Sequence, residues 1–163
     1  MLRRWLPLFV AAAILCGAAA ALATDQPRII ARSKHIDRSI SEVYATLKNY
    51  FSDESLSLFQ LKSADPKTFT IVATRSGIDG EHWRKWAFCP TSGVHMLYQL
   101  NDGSVTLTVT LERSGNTGTF ATVSADFQGG YNLGANQQKI ACESKGALED
   151  DIFSVAAAGA SKK

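Results

Sequence analysis

Hydrophobic positions recur every third or fourth residue between Ile40 and Phe51, where Ile40, Val43, Tyr44, Leu47, Tyr50 and Phe51 form one stripe of a 3.6-residue period. Ser39-Ile40-Ser41-Glu42 stands at the head of that stripe in the order of a capping box, so a helix is predicted to start there. Ahead of it, the β-rich run 29–36 lies between Pro27 and Asp37 and reads as a first strand. Behind it the period shortens. Residues 56–62 mix two phases, as a bulged strand would, and Asp65-Pro66 marks a turn. In 68–74, Phe69, Ile71 and Ala73 alternate with polar neighbours. Alternation returns at 94–100 and at 105–111, with Asn101-Asp102-Gly103 between them as the expected hairpin turn. Ser114 to Gly118 supplies another turn, and Ala121, Val123, Ala125 and Phe127 the inner face of a further strand, giving a meander over about 94–127. Residues 137–142 read as a last strand. Ser144 reads as N-cap of a second helix carrying Leu148, Ile152, Val155 and Ala156.

This order predicts an α+β fold, an antiparallel sheet in strand-helix-strands-helix order. Alternation places Phe69, Ile71, Leu107, Val109, Leu111 and Val123 toward a core that the helices cover through Val43, Leu47, Leu148 and Ile152. Neither a repeat nor a Pro-rich linker divides the chain, so residues 24–163 are read as one domain.

Residues 1–23 read differently. Arg3 and Arg4, an apolar run from Trp5 to Leu22 and the small-x-small Ala21-Leu22-Ala23 are the three parts of a secretory signal peptide, with cleavage expected before Thr24. An uncleaved anchor is the competing reading, weakened by Pro7 and Gly17. Lipidation at Cys16 is disfavoured by Leu15, where processing needs a small side chain. The expected location is periplasmic or secreted, with no stable membrane span after processing.

Removing the leader changes two quantities. Of 17 Lys and Arg, 15 remain against 15 Asp and Glu, so the processed chain is neutral and lacks the clustered positive charge of a nucleic-acid binder. Of three cysteines, Cys89 and Cys142 remain, in a compartment where disulfides persist. A bridge between them is expected, with two free buried thiols as the alternative. His35, His82 and His95 lack metal-ligand spacing, and neither metal nor cofactor is expected.

Nucleophile elbows, paired zinc-protease histidines and phosphate loops are absent from the sequence. Three weaker features carry chemistry. The segment 77–86 concentrates Asp79, Glu81, His82, Trp83, Arg84, Lys85 and Trp86. It reads either as an aromatic binding edge with acid-base potential in Asp79, Glu81 and His82, or as a turn and strand whose tryptophans cover the core. The Gly-rich stretch 128–136 carries Tyr131 and reads as a flexible loop able to touch a partner. Thr68, Thr70, Thr74, Thr106, Thr108 and Thr110 form a ladder that reads as the solvent face of the sheet.

The succession of a strand, the capped helix Ser39 to Leu47, antiparallel strands and a terminal amphipathic helix resembles the helix-grip domains, including the START-like lipid-binding superfamily. It also looks like the small domains of accessory lipoproteins of the outer-membrane β-barrel assembly machinery, from which it departs by lacking the lipid-attachment cysteine. The resemblance implies a non-catalytic binding or envelope-accessory protein holding a small apolar ligand or a protein partner, and carries over no site residue; Trp83, Trp86, Tyr131 and His82 are the candidate contacts read from the two segments above. A small acid-base enzyme, hydrolase or cyclase-like, using Asp79, Glu81 and His82 is the alternative that the same resemblance permits.

Overall fold

A computed structural model describes residues 30–78, 80–89, 102–133 and 136–159, with backbone only at 80, 81, 102, 131–133 and 136–138. The leader, Asp79 and the alternating run 94–100 lie outside the described residues. In chain order the elements are β1 (Arg32–Ile36), α1 (Ile40–Ser52), β2 (Gln60–Asp65), β3 (Thr70–Ile78), α2 (Gly80–Trp86), β4 (Ala87–Phe88), β5 (Asp102–Ser114), β6 (Gly118–Leu133), β7 (Asn136–Ser144) and α3 (Ala147–Ala158). The strands form an antiparallel sheet in the order β2-β3-β5-β6-β7-β4, and β1 also joins β6. Strand β6 is the spine. One edge pairs with β5 from Gly118 to Gly130, while the other is shared by β1, at 119–123, and β7, at 127–133. The fold is α+β, as the sequence pattern predicts.

Both major helices cover one face of this sheet. Ile71, Leu107, Val109, Leu111 and Val123 are buried beneath Val43, Leu47, Leu148 and Ile152, as alternation requires. The start of α1 follows from its sequence. The Ser39 hydroxyl accepts from the Glu42 amide at 3.4 Å, and the Glu42 carboxylate accepts from the Ser39 amide at 3.1 Å.

Several expectations need correction. Phe69 precedes β3 in a left-handed turn (φ 50°), half-buried with its ring edge-on to Tyr44. Asp102-Gly103 is no hairpin turn, because both residues lie inside β5, opposite Gly130 and Gly129. The edges of β5 are taken by β3 and β6. The Gly-rich stretch is strand rather than loop as far as Leu133. Strand β2 begins at Gln60, later than expected, but carries the expected bulge, between Leu61 and Ser63. Trp83 and Trp86 belong to a short helix, not a strand, and their separation of three residues puts both indoles toward the core. Finally, β7 extends through Ser144, and the N-cap of α3 is Gly146.

Candidate functional site

The tryptophan segment assembles against the sheet. Trp83 is 2% exposed and its indole lies against the backbone at Gly103, where an added Cβ would stand 2.5 Å from the ring. Glycine in the strand is thus the vacancy that admits the ring, which also meets Phe127 edge-on at 5.5 Å. Its Nε1–H donates to Cys89 Sγ at 3.0 Å. Cys89 in turn is disulfide-bonded to Cys142, with Cα atoms 4.2 Å apart, so the expected pairing is present. The bridge ties the residue after β4 to β7, five residues before α3. Trp86 is 6% exposed, with the Arg75 guanidinium 5.2 Å from its ring centroid and His82 tilted against it at 5.5 Å.

The structure therefore brings His82, Trp83 and Trp86 together, with the two indoles serving as core. Tyr131 lies in β6, two residues beyond the Gly129 that pairs with Gly103. Its backbone pairs with Gln138 in β7, and its side chain, like that of Glu81 and all of Asp79, lies outside the described residues. The threonine ladder occupies the face away from the helices. There Thr70, Thr110, Thr122 and Ser33 stand in one row across four strands, and Ser33 and Thr122 are hydrogen-bonded at 2.8 Å.

A second site, missed by the sequence reading, lies where β1, β7 and α3 converge. Gly146 takes a left-handed conformation (φ 85°) that breaks β7 from α3. Its amide donates to Ser144 Oγ at 3.0 Å, and its carbonyl accepts from Arg32 Nη1 at 2.7 Å. Arg32 also pairs with Asp150 at 2.9 Å, while Lys145 Nζ donates to the carbonyl of Arg84. These residues, with Ile30 and Glu149, line a cavity of about 330 Å³. Glu149 is 0% exposed, and neither of its carboxylate oxygens has a hydrogen-bond partner. A buried carboxylate without a donor is costly, so this group stands out from every other acid described. The signal was present in the sequence. Glu149 shares one helix face with Ile152, Phe153 and Ala156, an acid at a position where the period calls for an apolar residue.

The remaining electrostatics are local. Glu42, Asp53 and Asp65 are held below the usual carboxylate range, chiefly by hydrogen bonds from Ser39, from Ser55 and from the Lys67 amide respectively. Burial pushes the Tyr44 hydroxyl up, with the Asp65 charge adding to it. Among the described residues, no cluster of three His, Cys, Asp or Glu side chains is placed to hold a metal ion.

No family model and no curated protein matches this chain. A similar solved structure is the crystal structure of a DUF4468 family protein from Bacteroides ovatus ATCC 8483, at 16% identity and a TM-score of 0.35. The alignment covers 68% of this chain and 60% of that one, so this chain spans less than two thirds of that protein's length.

Proposed function

We propose that this chain is an exported, non-catalytic envelope-accessory domain that engages a protein partner rather than enclosing a small apolar ligand. The filled layer between sheet and helices carries the choice. Val43, Leu47, Ile71, Leu107, Val109, Phe127, Leu148 and Ile152 occupy it at 2% exposure or less, as a close-packed core rather than a binding chamber. Apolar side chains stand outside instead. Leu56, Leu58 and Phe88 are 57%, 65% and 58% exposed, on segments that meet through the Phe59–Trp86 ring contact. Export is supported by the three-part leader, and the disulfide is compatible with an oxidising compartment. No helix among the described residues is long and apolar enough to cross a membrane.

Native mass spectrometry of the protein from an exporting host tests this reading, comparing wild type with a Leu58→Ser/Phe88→Ser variant. The expected result is a chain beginning at Thr24 with a second protein bound, that protein being lost from the variant. A retained small apolar molecule, or a wild-type chain with nothing bound, would overturn the proposal. A mass that retains residues 1–23 or carries lipid on Cys16 would overturn the export reading.

A further inference from the structure

We infer that the cavity at the start of α3 binds a small primary amine in its protonated form, with Glu149 as the acceptor of the ammonium group. Arg32 is engaged by the Gly146 carbonyl and by Asp150, and Lys145 by the Arg84 carbonyl. Asp150 is answered by Arg32. Only Glu149 is unanswered, with two buried oxygens and no donor for either. What the site lacks is therefore a donor, and a positively charged one matches a carboxylate best, because charge-assisted hydrogen bonds are the strong ones.

This separates the site from the anion pocket that a helix N-terminus beside two cations would otherwise suggest. An anion entering here would meet Arg32 and Lys145 already engaged, and would bring further acceptors to a site whose unanswered atoms, the Glu149 oxygens, are acceptors themselves. An ammonium group meets the opposite situation. It carries three N–H donors, enough for both Glu149 oxygens and one further acceptor, such as the Ser144 hydroxyl at the cavity wall. The Arg32–Asp150 pair stands on the cavity lining, with side chains 41% and 60% exposed. An ion pair as exposed as that is weakly held and yields readily to an entering group. Ile30 sits on the same rim, 46% exposed, and offers apolar surface to a short alkyl chain. A metal ion is the poorer fit, since a lone carboxylate beside one hydroxyl falls short of a coordination shell.

Amide chemical shifts of the isotope-labelled processed protein, titrated with n-hexylammonium, test the assignment. The expected result is saturable shifts centred on Gly146, Ala147 and Glu149, with hexanoate and hexanol at least about tenfold weaker. Glu149→Gln removes the charge at nearly constant shape and should weaken hexylammonium by at least about tenfold. Equal binding of hexanoate or hexanol would overturn the inference, as would undiminished binding to the variant or the absence of any saturable shift. The comparison among the three probes uses the wild-type protein alone, so it remains decisive if Glu149→Gln fails to fold.

Discussion

Helices α1 and α3 lie on the same face of the sheet, and each carries a glutamate at its third helical position, yet the two starts are opposites. At α1, Ser39 caps the helix and Glu42 closes the box in the open, with every group satisfied locally. At α3, Gly146 provides no side-chain cap, and Glu149 is buried at the wall of the cavity with its carboxylate unpaired. One residue type at one helical position thus stabilises in the first case and costs stability in the second. The deciding variable is burial. At α1 the third position is open to solvent, and at α3 it is buried. A glutamate kept at the second kind of position has no stability argument in its favour, which is why the α3 start, rather than the more conspicuous tryptophans, is the place to look for binding.

The strongest test of the contrast is the disulfide. Cys142 lies in β7 near the α3 start, while neither cysteine of the bridge belongs to α1. Closing a loop over a separation of 53 residues stabilises by roughly 4 kcal/mol in the chain-entropy account. Reduction should lower stability by about that amount in denaturant titrations. It should also speed hydrogen exchange at 146–150 far more than at 40–44, whereas equal acceleration at both helix starts would break the comparison.

Next come the shared features. Leu47→Ala and Ile152→Ala each empty a buried position under one helix and should cost about 2–5 kcal/mol, because the two helices differ at their starts and not in their packing. Thr108→Ala, on the face away from the helices, should stay under about 0.5 kcal/mol. A loss there as large as at Ile152 would reverse the assignment of faces.

Replacing the unpaired acid sharpens the contrast directly. Glu149→Met should raise stability by about 1–3 kcal/mol in thermal or denaturant unfolding, by removing a buried group without partners. Ser39→Ala should have the opposite sign and cost about 1 kcal/mol, the value of an N-cap.

The smallest effect is the pH dependence of the α1 box. Glu42 has its folded-state pKa lowered from 4.5 by the Ser39 hydroxyl and amide, so its contribution is present above that pH and is lost as pH falls through the lower folded value. The stability difference between wild type and Glu42→Gln should shrink as pH drops below 4.5. A difference that grows toward acid would refute the assignment.

The same contrast marks what sequence alone could reveal. Helix α1 was largely legible, since its stripe and cap are local patterns, although Tyr50 of the stripe is only half-buried and Thr46 outside it is buried. The α3 start was not. Ser144 has the chemistry of a cap, but pairing with Ala87 of β4 holds it in a strand, a constraint set by a residue 57 positions away in the chain. The Gly-rich stretch misled for a related reason. Gly129 reads as loop chemistry until Gly103 is seen opposite it and the Trp83 ring on top, an arrangement that needs bare backbone in a strand. Trp83 and Trp86 read as strand residues that cover the core, over too short a window to reveal a helical spacing. Glu149 was visible as an acid on an apolar stripe, but whether its carboxylate finds a partner is settled only by tertiary contacts.

The division of one β6 edge between β1 and β7 sets an order of events as the chain is made. Among the described residues β1 pairs only with β6, and Ser33 meets Thr122 across 89 residues. A chain emerging N-terminus first therefore presents its first strand and its capped helix long before the spine that receives them exists. Local propensity can form α1 early, but its apolar stripe stays uncovered until β6 is available. Closure over such separations slows folding and lengthens the interval in which that surface is exposed. The stretch ending at Leu133 is thus a timing element as well as a structural one, and a stall in synthesis just short of it would leave the aggregation-prone half of the molecule waiting for its partner.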